Sequence, residues 1–144
     1  MSMSKDSYKP ASILLVDDDD IDAMAVKRAL NKMKIANPLV RAKDGVHALE
    51  ILEKEGIDTP YLILLDLNMP RMGGLEFLKV LRRDERWESS VVFVLTTSKA
   101  DEDKLAAYKE HIAGYILKEK LHDGFDELVK LLDHYWRLVE FPNT

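Results

Sequence analysis

The 144-residue chain sets 21 Lys and Arg against 26 Asp and Glu, for a formal net charge of −5, and has no cysteine. Hydrophobic residues at 47% can build a core, which excludes a disordered chain, and the missing cysteines exclude disulfides, thiol catalysis and cysteine-ligated zinc. No apolar run approaches the ~20 residues of a membrane span, and an acidic chain without a basic block speaks against a nucleic-acid surface.

Residues 1–11 lack the apolar segment of a secretory signal, so they are expected to be a flexible leader to one domain over 12–144 in the cytoplasm. The first aliphatic run, 13–16, precedes an acidic cluster and then Ile21, Met24, Ala25, Ala29, Leu30 and Met33 at helical spacing, which predicts a buried strand and an amphipathic helix. Leu39–Ala42 is a short second strand, and Asp44-Gly45 opens a helix through Val46, Leu49 and Leu52. The run 62–65 is a third strand, followed by a loop forced by Pro70, Gly73 and Gly74 and by a helix through Leu75, Leu78 and Leu81. Residues 91–95 form a fourth strand, Asp101–Lys109 a polar helix, 115–117 a fifth strand and 125–139 the last helix. Continuous apolar strands, each followed by a helix, indicate an α/β domain with a parallel sheet covered on both faces.

In such a sheet, ligands sit beyond the carboxyl ends of the strands, near the point where strand order reverses. Here those ends carry the acidic run Asp17 to Asp20, then Asp66, Thr96 and Lys118. Asp17, Asp18 and Asp66 would crowd like charges together unless a cation joins them, and all-oxygen donors favour Mg2+ or Mn2+. With Lys118 and the Thr96 hydroxyl, such an ion would neutralise the oxygens of a transferring phosphoryl group, with a carboxylate as acceptor. Each residue alone has an ordinary alternative. Asp19, Asp20 and Asp22 suit a helix N-terminus, Asp66 a strand-end turn, Thr96 a local cap and Lys118 solvated surface. Joint placement at four strand ends is what favours a site. A calcium loop begun at Asp17 fails, because it needs Gly where Asp22 stands and Glu where Arg28 stands. The histidines at 47, 111, 122 and 134 lack ligand spacing and are expected at the surface or partly buried.

Four segments together resemble the receiver domain of two-component response regulators: Ile-Leu-Leu-Val-Asp-Asp at 13–18, Asp-Leu-Asn-Met-Pro-Arg-Met-Gly-Gly at 66–74, Val-Leu-Thr-Thr-Ser at 94–98 and Gly-Tyr-Ile-Leu-Lys at 114–118. The resemblance implies a flavodoxin-like (βα)5 fold with strand order 2-1-3-4-5 and Asp66 as phosphoryl acceptor from a histidine kinase. It further implies Mg2+ on Asp17, Asp18, Asp66 and the Asn68 backbone carbonyl, with Asp18 the more direct of the acidic pair. Thr96 and Lys118 would bind the phosphoryl oxygens, Tyr115 would be an aromatic switch coupled to Thr96, and Asn68 and Ser98 would tune the acyl-phosphate lifetime. Glu119 stands where the family usually has a cis proline, and Gly73 where an acidic residue is common. A narrower likeness, in the acidic first loop, Thr-Thr-Ser and the aromatic last helix, is to stand-alone regulators paired with phytochromes, which points to a phytochrome kinase.

On the last helix, Phe125, Leu128, Val129, Leu132, Trp136 and Val139 form a core stripe, and Leu131, Tyr135 and Leu138 form a second row. The two rows together are wider than the ~100° one buried face requires. Either the row is covered by the chain's own C-terminal tail, or it is a homodimer surface. Because the sequence stops shortly afterwards, output is expected through contact with a downstream protein. On this reading the chain is a phosphoacceptor, consumed and regenerated, and not an enzyme in the turnover sense. The alternatives are a receiver-fold interaction module that signals without phosphorylation, and a Mg2+-dependent phosphohydrolase. The second would want an acid where Asn68 stands.

Overall fold

The computed structural model describes residues 11–121 and 124–142. Residues 1–10 of the expected leader, His122 and the last two residues of the tail lie outside the described residues. Ala11, the final residue of that leader, is buried, and its carbonyl accepts a hydrogen bond from Asn37 Nδ2 at 2.6 Å.

Aliphatic runs without polar alternation suit strands covered on both faces, and they become β1 (Ser12–Val16), β2 (Leu39–Ala42), β3 (Tyr61–Leu65), β4 (Val91–Thr96) and β5 (Gly114–Leu117). Between and after them run α1 (Asp20–Lys32), α2 (Gly45–Glu53), α3 (Gly74–Arg83), α4 (Asp101–Lys109) and α5 (Asp126–Leu138). The strands pair in parallel in the order β2-β1-β3-β4-β5, as the resemblance implied. The reversal of order lies between β1 and β3, where Val16 is in register with Leu65.

Side chains alternate across the sheet and divide the core in two. Leu14, Val16, Ile63, Leu65, Val92 and Val94 face α2, α3 and α4, where Phe77, Leu78 and Leu81 supply most of the volume. Ile13, Leu15, Leu62, Leu64, Phe93 and Leu95 face α1 and α5, against Val26, Leu30, Leu128 and Trp136. The strands β1 and β3, with every side chain but Tyr61 buried, hold the polar residues that follow them on a rigid frame.

On α5, Leu128, Val129, Leu132 and Trp136 are buried as the helical spacing predicts. The second row divides. The Tyr135 ring packs edge-on against Phe93, with centroids 5.0 Å apart, and against Phe141 of the tail at 6.0 Å, whereas Leu131 and Leu138 are 47% and 83% exposed. The tail therefore covers part of the wide apolar arc and leaves the rest open. Among the described residues, no helix is long and apolar enough to cross a membrane.

Candidate functional site

The residues at the strand ends converge. Asp17 directly follows β1 and Asp66 directly follows β3, and the Asp66 amide donates to the Val16 carbonyl at 2.9 Å, which fixes the two aspartates side by side. Asp17, Asp18 and Asp66 each offer a carboxylate oxygen within 4.8 Å of the other two. Asp17 and Asp66 are buried, whereas Asp18 is exposed at the mouth. Burial raises the Asp17 carboxyl above the usual carboxylate range, against the opposing pull of the Asp19 amide and Lys118. An under-compensated buried carboxylate beside two others is a donor set that fits a hard divalent cation.

Lys118, from the end of β5, enters from the other side. Its Nζ donates to Asp22 Oδ2 at 2.5 Å and to Asp17 Oδ2 at 3.1 Å, and lies 3.7 Å from Asp66 Oδ2. Burial pushes the ammonium down, but the carboxylates of Asp22, Asp17 and Asp66 outweigh it, so Lys118 titrates above its ordinary value. Lys118 shifts upward because several carboxylates share it, whereas Asp17 shifts upward because its burial outweighs its share of that one cation. Thr96, fully buried at the end of β4, accepts the Ser98 amide on its hydroxyl oxygen at 3.3 Å. Asn68 is exposed, and its amide donates to Asp66 Oδ1 at 3.4 Å. Tyr115 is half-buried against the α3 side of the core and donates its hydroxyl to the Ser98 carbonyl at 2.9 Å. The Ser98 hydroxyl donates to Asp103 Oδ2 at 2.6 Å, so this position is tied to the start of α4.

Several supports escaped the sequence reading. Arg41 on β2 donates twice to the Asp17 carbonyl, at 2.9 and 3.0 Å, and once to Asp20 Oδ1 at 2.6 Å, which fastens the acidic loop to the sheet. Asp44 accepts the His47 amide as the cap of α2 and takes two bonds from Arg71, at 2.7 and 3.1 Å, so the loop after Asp66 is pinned to α2. The Arg71 guanidinium holds the Asp44 carboxyl below its usual range. Glu119, in place of the family's proline, lies within the 3-10 turn Lys118–Lys120 and pairs with Lys99 at 2.9 Å, joining the loops after β4 and β5. These partners are distant in sequence, and only the signs of the charges hinted at them.

Of the histidines, His47 is half-buried and accepts the Lys43 amide on Nδ1, while His111 and His134 are exposed, as their lack of ligand spacing implied.

Known proteins resemble this chain in sequence and fold. The family model described as the response regulator receiver domain matches residues 13–132. The probable methanogenesis regulatory protein FilR2 of Methanothrix harundinacea is 35% identical over 130 residues, covering 88% of this chain and 84% of that protein. Response regulator Rcp1 of Synechocystis is 33% identical over 138 residues, covering 93% of this chain and 94% of that protein. The crystal structure of the Mn2+-bound form of Rcp1 superposes with a TM-score of 0.81 at 32% identity, over 93% of this chain and all of that one. That of the phosphorylated cyanobacterial phytochrome response regulator RcpA gives 0.83 at 28% identity, over 94% and 100%. From the strand order, the acidic trio and these matches together, the chain belongs to the response regulator receiver domain family.

Proposed function

We propose that this chain, as a single receiver domain over 12–144, accepts a phosphoryl group on Asp66 from the phosphohistidine of a histidine kinase and signals by a change of shape. The convergence of Asp17, Asp18 and Asp66 with Lys118 at the reversal of strand order carries the reading. An Asp66 oxygen attacks phosphorus, the P–N bond breaks, and the kinase imidazole nitrogen leaves and takes a proton from solvent. Asp17, Asp18, Asp66 and the Asn68 backbone carbonyl would hold Mg2+ or Mn2+, which when bound neutralises the phosphoryl oxygens. Lys118 and the Thr96 hydroxyl bind the transferred oxygens, and the fixed frame of β1 and β3 supplies alignment.

Tyr115 and Thr96 lead the signal outward. The loop at 97–100 is held to β5 by the Tyr115 hydroxyl on Ser98 and to the turn after β5 by Lys99 on Glu119. Drawing Thr96 towards a phosphoryl group would strain both ties and reorient Tyr115. Asn68 and Ser98 flank the acyl phosphate and set its lifetime. A phytochrome kinase as donor is supported by the likeness to RcpA, and a cytoplasmic location goes with it. Output is by contact with a downstream protein and with a second copy through Leu131, Tyr135 and Leu138, supported by the exposure of the two leucines.

Incubation with acetyl phosphate and Mg2+ should add one acid-stable, base-labile phosphoryl group that is lost in Asp66→Asn. Labelling that survives this substitution, or no labelling from acetyl phosphate or any kinase, would reject the reading. Sedimentation of the parent and of Leu131→Glu, Leu138→Glu tests the dimer. A parent that stays monomeric with and without phosphorylation would contradict it.

A further inference from the structure

Asp22 lies in the first turn of α1, where an acidic residue suits the helix dipole, but it does not cap the helix. The capping of α1 is already done by Asp19, whose carboxylate accepts the Ile21 and Asp22 amides at 2.9 and 3.2 Å. Asp20 is engaged by Arg41. Asp22 lies four residues before Val26 and seven and eight before Ala29 and Leu30, the buried stripe of α1, so it stands on the inward face where a solvated carboxylate is not expected. A partner is required there, and the closest approach is the Lys118 ammonium at 2.5 Å, made across 96 residues of sequence.

Lys118 has three N–H donors to share. Two are engaged by Asp22 and Asp17 at hydrogen-bond distance, whereas Asp66 at 3.7 Å is beyond it. The order of these distances is the opposite of what the site would reach if Lys118 simply paired with the acceptor carboxylate. We propose that Asp22 is a positioning residue that draws the Lys118 ammonium towards α1 and off Asp66, leaving an Asp66 oxygen open to a divalent cation and to the incoming phosphorus. The proposal rests on the reading of Asp66 as acceptor. Asp22 acts only through Lys118 and touches neither the cation nor the phosphoryl group.

Two measurements on the full chain test it. In metal-free protein with labelled lysine side chains, Asp22→Asn should shift the Lys118 side-chain resonance. In the parent, Asp66→Asn should leave that resonance nearly in place, but once Asp22 is Asn it should move it strongly, because Lys118 has then closed on Asp66. The second measurement is Mn2+ titration. Asp22→Asn should weaken Mn2+ binding roughly three- to tenfold, as expected when a hydrogen-bonded cation competes for the ligand. A Lys118→Gln background should erase most of that loss. Equal weakening with and without Lys118 would mean a simple loss of negative charge and would overturn the proposal, as would a Lys118 resonance indifferent to Asp22. If the parent bound no Mn2+ at all, the acceptor reading would fail instead, and the lysine resonance would still decide whether Asp22 holds Lys118.

Discussion

Gly74→Ala is the substitution whose effect the geometry specifies most sharply. Gly74 begins α3 directly behind the loop that carries Asp66, and its amide donates to the Leu67 carbonyl at 3.0 Å. A β-carbon there would fall onto the Asp66 carbonyl oxygen and come within 2.8 Å of the Leu67 α-carbon. Ordinary contact begins near ~3.5 Å, so the backbone must open by at least ~0.7 Å. Both obstacles are main chain and cannot rotate aside, which puts the overpacking penalty in the upper part of the usual range, ~2–3 kcal/mol. Alanine recovers at most ~1 kcal/mol of helix propensity, leaving a net loss of ~1–2 kcal/mol. That corresponds to a fall in Tm of roughly 2 to 8 °C for a domain of this size. The same displacement moves Asp66, and a misplacement approaching 1 Å lowers a positioned reaction by up to ~100-fold. Gly73→Ala is the control, because its β-carbon would meet only the Leu67 carbonyl oxygen at 3.2 Å. Urea denaturation and the rate of labelling by acetyl phosphate should therefore separate the two variants. Equal behaviour, or an unchanged midpoint in Gly74→Ala, would refute the close-approach argument.

Other outcomes follow from the same contacts. Phe77 is fully buried between α3 and the sheet, so Phe77→Ala should lose ~3–5 kcal/mol in urea denaturation, and a loss below ~1 kcal/mol would contradict the packing. Arg71 depresses the Asp44 carboxyl, so the pair's contribution is fully present above the ordinary aspartate pKa near ~3.9 and disappears as pH falls through the lowered native value. The stability gap between parent and Asp44→Asn should accordingly be flat near neutrality and close below about pH 4, and a gap that widens on acidification would reverse the sign of the argument. Trp136 Nε1 is buried without a hydrogen-bond partner among the described residues, so Trp136→Phe should lose well under the ~3–5 kcal/mol of Trp136→Ala. A loss as large as that of the alanine variant would show that the indole N–H matters.

The parts of the molecule that local pattern determines were readable in advance. Runs such as 13–16 and 62–65 have to be buried strands because nothing polar interrupts them, and a parallel sheet then sends Asp17, Asp66, Thr96 and Lys118 to one end. What stayed hidden was the division of labour within the acidic loop. Asp19, Asp20 and Asp22 look equivalent as helix-start residues, yet one caps, one binds Arg41 and one binds Lys118, and those partners come from β2 and the turn after β5. Tyr135 likewise looks equivalent to Leu131 and Leu138 on a helical wheel. The Phe93 ring on β4 and the return of the tail, which brings Phe141 over the helix, set it apart.

The most direct test of the account is chemical mapping of the modified residue. Protein labelled with acetyl phosphate and Mg2+ would be trapped by borohydride reduction of the acyl phosphate and mapped by peptide mass. The account predicts a single reduced aspartate at Asp66. Reduction at Asp17 or Asp18, or a stable phosphoester on Thr96 or Ser98 with Asp66 unmodified, would contradict it.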